Sequence, residues 1–112
     1  MSASEKLTNK INADLIEVMK SWKEFQPKAS LLCFYNPDTK HIVIELIFIP
    51  VSLRRQGICG QMIDEITDVA RGYGIEIWLE PNDSFGVSKS ILSDMYRQYG
   101  FSWVDKHWMK KI

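Results

Sequence analysis

The chain has 112 residues and a mass of 13.0 kDa, room for one domain spanning 1–112. Hydrophobic residues make up 46% and charged residues 25%, which excludes a disordered tail, a collagen-like fibre and a coiled coil. Fourteen basic residues balance fourteen acidic ones, so the basic excess of a general nucleic-acid binder is missing.

The N-terminus lacks a basic start followed by an apolar stretch, so no secretory signal is expected. Ser2 and Glu5 have the spacing of a helix capping box. Leu7, Ile11, Leu15, Val18 and Trp22 follow at three- and four-residue steps and predict an amphipathic helix over about 2–26, ended by Pro27. Leu31 to Tyr35 and His41 to Ile49 read as antiparallel strands around the turn residues Asn36-Pro37-Asp38-Thr39. The second strand is apolar on both faces and belongs inside a sheet. The apolar run His41 to Val51 is too short to span a bilayer and contains Glu45. Gly57 opens a second helix with Ile58, Met62, Ile63, Ile66, Val69 and Ala70 on its buried face, and Gly72 and Gly74 end it. Ile75 to Leu79 reads as a strand and Pro81 to Val87 as a loop. Ser88 or Ser90 caps a third helix carrying Leu92, Met95, Tyr96 and Tyr99 on one face, with Gly100 as its stop. Phe101 to Val104 and Trp108 to Lys110 read as two closing strands. The alternation predicts an α/β chain with a mixed sheet and helices packed on its faces.

Cys33 and Cys59 form neither a disulfide framework nor a Cys-x-x-Cys pair, which favours a reducing cytoplasm. His41 and His107 have no metal-ligand spacing, so no metal site is expected. Trp22, Trp78, Trp103 and Trp108 read as packing residues rather than base-stacking platforms.

The segment Arg54-Arg55-Gln56-Gly57-Ile58-Cys59-Gly60 joins the interior strand to the second helix. The first N–H groups of a helix have no internal partner, and the dipole there is positive. Glycines let a ligand approach the backbone, and arginines add fork-shaped donors. A pyrophosphate suits such a corner. No Gly-Lys-Ser/Thr follows, and the spacing is not Gly-x-Gly-x-x-Gly. The same residues also make an ordinary strand-to-helix turn with solvated arginines.

Residues 50–66 resemble motif A of the GNAT superfamily of N-acetyltransferases, Arg/Gln-x-x-Gly-x-Gly/Ala between a strand and a helix. Arg54 and Gly57 match its first two fixed places; Cys59 stands where Gly or Ala is usual, followed by Gly60. Met95-Tyr96-Arg97-Gln98-Tyr99-Gly100-Phe101 resembles the family's Leu-Tyr-x-x-x-Gly-Phe stretch. The resemblance covers about 41–112 and implies a mixed, mostly antiparallel central sheet with helices on both faces. The N-terminal part is shorter than in full members, as in small phage-encoded acetyltransferases.

The resemblance implies transfer of acetyl from acetyl-CoA to a primary amine of a small molecule or protein. Ile49 and Val51 would border pantetheine. Arg54, Arg55, Gln56, Gly57, Ile58, Cys59, Gly60 and Gln61 would surround the diphosphate. Tyr96 matches the family's general acid, and a main-chain N–H near Phe48 to Val51 would stabilise the oxyanion. Glu45 is the candidate base, being the one ionisable side chain within Ile42 to Val51; it also reads as a strand residue reaching solvent. A thiol at a helix start beside arginines invites a depressed pKa, yet Cys59 reads better as a small loop filler. Two further readings stand beside the enzyme. One is an inactive module that binds the coenzyme or a protein, the other a phage-type modifier of a host protein. The edge strand Phe101 to Val104 favours a homodimer.

Overall fold

The N-terminal apolar stripe folds as α1 (Ala3–Phe25) in the computed structural model, which describes residues 2–82 and 87–111. Ser2 caps it by accepting from the Glu5 N–H at 3.1 Å. Ile11, Leu15 and Trp22 are buried, while Leu7 is exposed. The chain turns after Gln26 into β1 (Ser30–Asn36), which pairs antiparallel with β2 (His41–Phe48). Their connection is tightened by the Asn36 side chain, which accepts from the Asp38 N–H at 2.9 Å.

A single 3-10 turn at Val51–Leu53 leads to α2 (Ile58–Tyr73). Gly57 is its N-cap, with a φ of 77° that glycine alone adopts without strain. Gly74, at φ 66°, ends the helix, whereas Gly72 lies inside it, a correction to its expected role as a stop. β3 (Ile77–Leu79) follows, then α3 (Lys89–Gln98). Ser88, not Ser90, caps α3 by accepting from the Ile91 N–H at 3.3 Å. β4 (Ser102–Trp103) and β5 (Met109–Lys111) close the chain. Of the loop read at Pro81 to Val87, residues 83–86 lie outside the described residues.

The five strands stand in the order β1-β2-β3-β5-β4. Only β2 and β3 run parallel. The class is the expected one, a mixed and mostly antiparallel sheet with helices. Leu31, Cys33 and Tyr35 of β1 and Ile42 and Ile44 of β2 share one core with Ile11 and Leu15 of α1 and Met62, Ile63 and Ile66 of α2. Tyr96 brings α3 into the same core. The Trp22 indole donates to the Glu65 carboxylate, and the Tyr73 hydroxyl donates to Asp14 at 2.5 Å, tying α1 to α2. On the opposite face of β1, Leu32 and Phe34 are 50% and 40% exposed. No described helix is long and apolar enough to cross a membrane.

Candidate active site

The parting of β2 from β3 creates the site. Their parallel pairing covers only Ile42 to Ile44 against Ile77 to Leu79. Beyond Ile44, β2 continues beside β1 alone. The β1–β2 register passes from Cys33 opposite Ile44 to Leu32 opposite Leu46, so Glu45 is an extra residue with no partner in β1. Such a bulge bends and twists its strand.

A cavity of about 440 Å³ opens where the strands part. One wall is Ile44 to Phe48 of β2 and Ile49 after it. Leu79 ends β3 and Glu80 follows it, while Leu92, Met95 and Tyr96 of α3 and its C-cap Tyr99 also line the cavity. Arg54, Arg55, Gly57, Ile58 and Cys59 close the end beside the first turn of α2. A Cβ built at Gly57 meets nothing within 4 Å, so the approach to this backbone is open.

Of the residues expected at the site, Glu45, Tyr96 and Ile49 therefore meet on one cavity with Arg54, Arg55, Gly57, Ile58 and Cys59. Val51, Gln56, Gly60 and Gln61 do not line it. Val51 is 77% exposed in the 3-10 turn, and Gln61 is exposed on α2. The Gln56 amide donates back to the Ser52 carbonyl at 3.4 Å. A Cβ at Gly60 would stand 2.9 Å from the Tyr99 ring, so this glycine admits an aromatic side chain of α3.

The two arginines differ. Arg54 is half-buried, and its Nε donates to the Ile49 carbonyl at 3.0 Å, closing the loop between β2 and α2. Arg55 is exposed and holds a φ of 65°, a left-handed conformation that costs a non-glycine residue roughly 1–2 kcal/mol.

Burial, reinforced by Cys59 and Tyr99, pushes the Tyr96 phenol well above its ordinary range. It therefore keeps its proton across neutral pH. Burial also pushes the Cys59 thiol up to about 11, opposite to the depressed value its place beside the arginines invites. A thiol held protonated is a poor nucleophile.

Sequence reasoning did not single out Tyr99 as a site residue and gave Glu80 no part in the chemistry. Glu80 follows Leu79, the β3 partner of Ile44, so Glu45 and Glu80 are the first residues past the last parallel pair. That adjacency is a matter of strand register, which no local pattern encodes. Glu80 also pairs with His107 Nδ1 at 3.8 Å. Among the described residues, no group of three His, Cys, Asp or Glu side chains is placed to hold a metal ion.

A mixed sheet that parts beside a glycine-led helix start is the architecture of the GNAT acetyltransferases, and the chain is a small GNAT-like protein. It is similar to the anti-CRISPR protein AcrVA5, with 28% identity over 75% of this chain and 90% of that one and a TM-score of 0.62. A structure from Agrobacterium tumefaciens, presented as a candidate acetyltransferase, shares the fold at 14% identity over 99% of this chain and 93% of that one, with a TM-score of 0.50. No protein-family model matches the sequence, and the curated proteins give no significant match.

Proposed function

We propose that the protein is an acetyl-CoA-dependent N-acetyltransferase acting on a primary amine. The observation that carries this reading is the meeting of Glu45, Tyr96 and the open first turn of α2 on one cavity at the parting of β2 and β3. The α2 N–H groups, with Arg55 beside them, suit the coenzyme's diphosphate. The apolar wall of β2 suits the pantetheine arm. Both are assigned from the chemistry of the residues.

An alkyl amine has a pKa near ~10 and is mostly protonated at neutral pH. Glu45 takes a proton from it, directly or through a water. The neutral nitrogen bonds to the thioester carbonyl carbon. A main-chain N–H of β2 past the parting, within 45–49, stabilises the charge that develops on oxygen. The carbon–sulfur bond then breaks, the Tyr96 hydroxyl gives its proton to the leaving sulfur, and the second proton that the nitrogen sheds to become an amide restores the Tyr96 hydroxyl through solvent. Free Cys33 and Cys59 suit a reducing cytoplasm.

The test is calorimetric titration with coenzyme A together with turnover on a panel of amines. Tyr96→Phe is expected to bind coenzyme normally and to lose about 10²–10⁴-fold in kcat, the usual worth of a positioned acid. Gly57→Glu, which puts a carboxylate where the diphosphate belongs, is expected to abolish coenzyme binding. Full turnover by Tyr96→Phe would remove that residue from the mechanism.

A further inference from the structure

Tyr96 is poorly surrounded for an acid that must give up its proton alone. It is 7% exposed, and its ring packs edge-on against Phe101 with centres 5.9 Å apart. A phenolate left at such a place is desolvated and unfavourable. The cavity side offers no water at that moment, because the departing coenzyme fills it.

A second hydroxyl stands close by. Tyr99 is the C-cap of α3, three residues after Tyr96, so the two side chains share one side of the helix, and both line the cavity. Unlike Tyr96, Tyr99 is only half-buried. Gly60 sets its place: the Tyr99 hydroxyl oxygen lies 3.3 Å from the point a Cβ would take on that glycine. Next to Gly60 in the first turn of α2 is Cys59, half-buried and also on the cavity wall. Burial is the first cause that raises both phenols. After it, Cys59 and then Tyr99 act on Tyr96, and Cys59 and then Asp64 act on Tyr99. The thiol is thus near both hydroxyls, and Asp64, exposed on α2, is near the outer one. The row Tyr96, Cys59, Tyr99 and Asp64 leads from the buried end of the cavity to the surface along the seam of α2 and α3.

We infer that Cys59 and Tyr99 are positioning residues that resupply Tyr96: as Tyr96 protonates the leaving sulfur, the Cys59 thiol passes a proton to the Tyr96 oxygen and the Tyr99 hydroxyl passes one to the Cys59 sulfur. Three bonds to hydrogen break, at Tyr96, Cys59 and Tyr99, and three form, at the coenzyme sulfur, Tyr96 and Cys59. The negative charge moves from the buried Tyr96 oxygen to the Tyr99 oxygen, where water solvates it and returns a proton. That proton balances the second one that the amine nitrogen sheds. The Asp64 carboxylate keeps Tyr99 protonated between turnovers. Gly or Ala, usual at the place of Cys59, has no side-chain proton to pass. The inference rests on the acetyl-transfer reading above and deepens it.

The experiment is a double-mutant cycle on kcat with acetyl-CoA as donor and the fastest amine of the panel as acceptor. Coenzyme binding is followed by calorimetry in parallel. Tyr99→Phe keeps the ring on Gly60 and removes only the hydroxyl. It is expected to bind coenzyme with the same Kd and to lose about tenfold or more in kcat. In a chain already carrying Tyr96→Phe, the same substitution is expected to change kcat by less than about twofold, because Tyr99 acts only through Tyr96. A purely structural role for Tyr99 lowers kcat by the same factor in both backgrounds, and that result overturns the inference. So does an unchanged kcat in Tyr99→Phe. Cys59→Ser, which keeps an exchangeable proton, is expected to turn over at least about fivefold faster than Cys59→Ala. Equal rates in these two overturn the inference and leave the acetyl-transfer reading standing; they also decide the matter if Tyr99→Phe fails to fold. Absence of coenzyme binding, or of turnover with every amine, by the unaltered chain overturns the acetyl-transfer reading first, and the inference with it.

Discussion

Gly57 and Gly60 stand three places apart at the start of α2 and are held there by different physics. Gly57 supplies a φ of 77° in open space, so any Cβ is strained by the backbone alone. Gly60 has ordinary helical backbone, and a Cβ on it would run into the Tyr99 ring. Gly60→Ala is therefore expected to destabilise the fold by about 1–3 kcal/mol in urea unfolding, a typical overpacking penalty. Tyr99→Ala in the same chain should recover part of that loss, and the double-mutant cycle measures the coupling. The sequence groups both glycines into a single ligand-binding loop because they share a segment. The distinction is invisible there, since Tyr99 reaches Gly60 only through the packing of α3 on α2. Glu45 was legible as an oddity, a carboxylate in an apolar strand. Its nearness in register to Glu80 was not, because only strand pairing brings both to one cavity.

At the level of elements, β1 is an edge strand, and edges invite unwanted pairing. This edge is partly stopped: the Tyr35 N–H donates to the Asn12 side chain of α1 at 2.8 Å. Asn12→Ala leaves that donor without its partner at a buried residue, a loss of about 1–3 kcal/mol. The expected outcome is a lower midpoint in thermal unfolding and faster aggregation by light scattering, with coenzyme binding unchanged below the transition. The helices and the hairpin could be read from the sequence because their signals are local: period, caps and the Asn36-Pro37-Asp38-Thr39 turn. β3 was read two residues too long, from Ile75 instead of Ile77. The cause is the α2 stop: the Gly74 N–H bonds to the Arg71 carbonyl and the Ile75 N–H to Ala70, so Ile75 belongs to the helix cap. Sheet pairing begins only after it, where the Glu76 carbonyl accepts from the Ile42 N–H.

For the molecule as a whole, two side chains, His41 and Glu76, link folding to pH. His41 stacks on Trp78 with ring centres 4.6 Å apart, and burial lowers its pKa against the opposing pull of Glu76. The unfolded chain then holds more protons than the folded one just below the ordinary histidine value, so stability falls as pH drops through that interval. The Glu76 carboxyl is lowered by its bond to Lys110, 2.9 Å away, and then by Trp78. Its contribution is present above the ordinary carboxylate value and disappears as pH falls through the lowered folded one. Midpoints of thermal unfolding against pH should therefore decline in two steps on acidification. His41→Phe is expected to remove the upper step, and Glu76→Gln to reduce the lower, which it shares with Asp105, a carboxyl lowered by the His107 and Trp108 N–H groups. None of this was legible from the sequence, where His41 is isolated and Glu76 belongs to the next strand.

The unmatched place at Glu45 has one more implication. All seven pairings of β1 with β2 skip it, so a hairpin shortened by that single amino acid would align the same partners without a kink. The ladder itself has no use for the position. Its presence serves the divergence of β2 from its parallel neighbour, and the surplus unit carries its carboxylate to the mouth of the opening that the divergence makes.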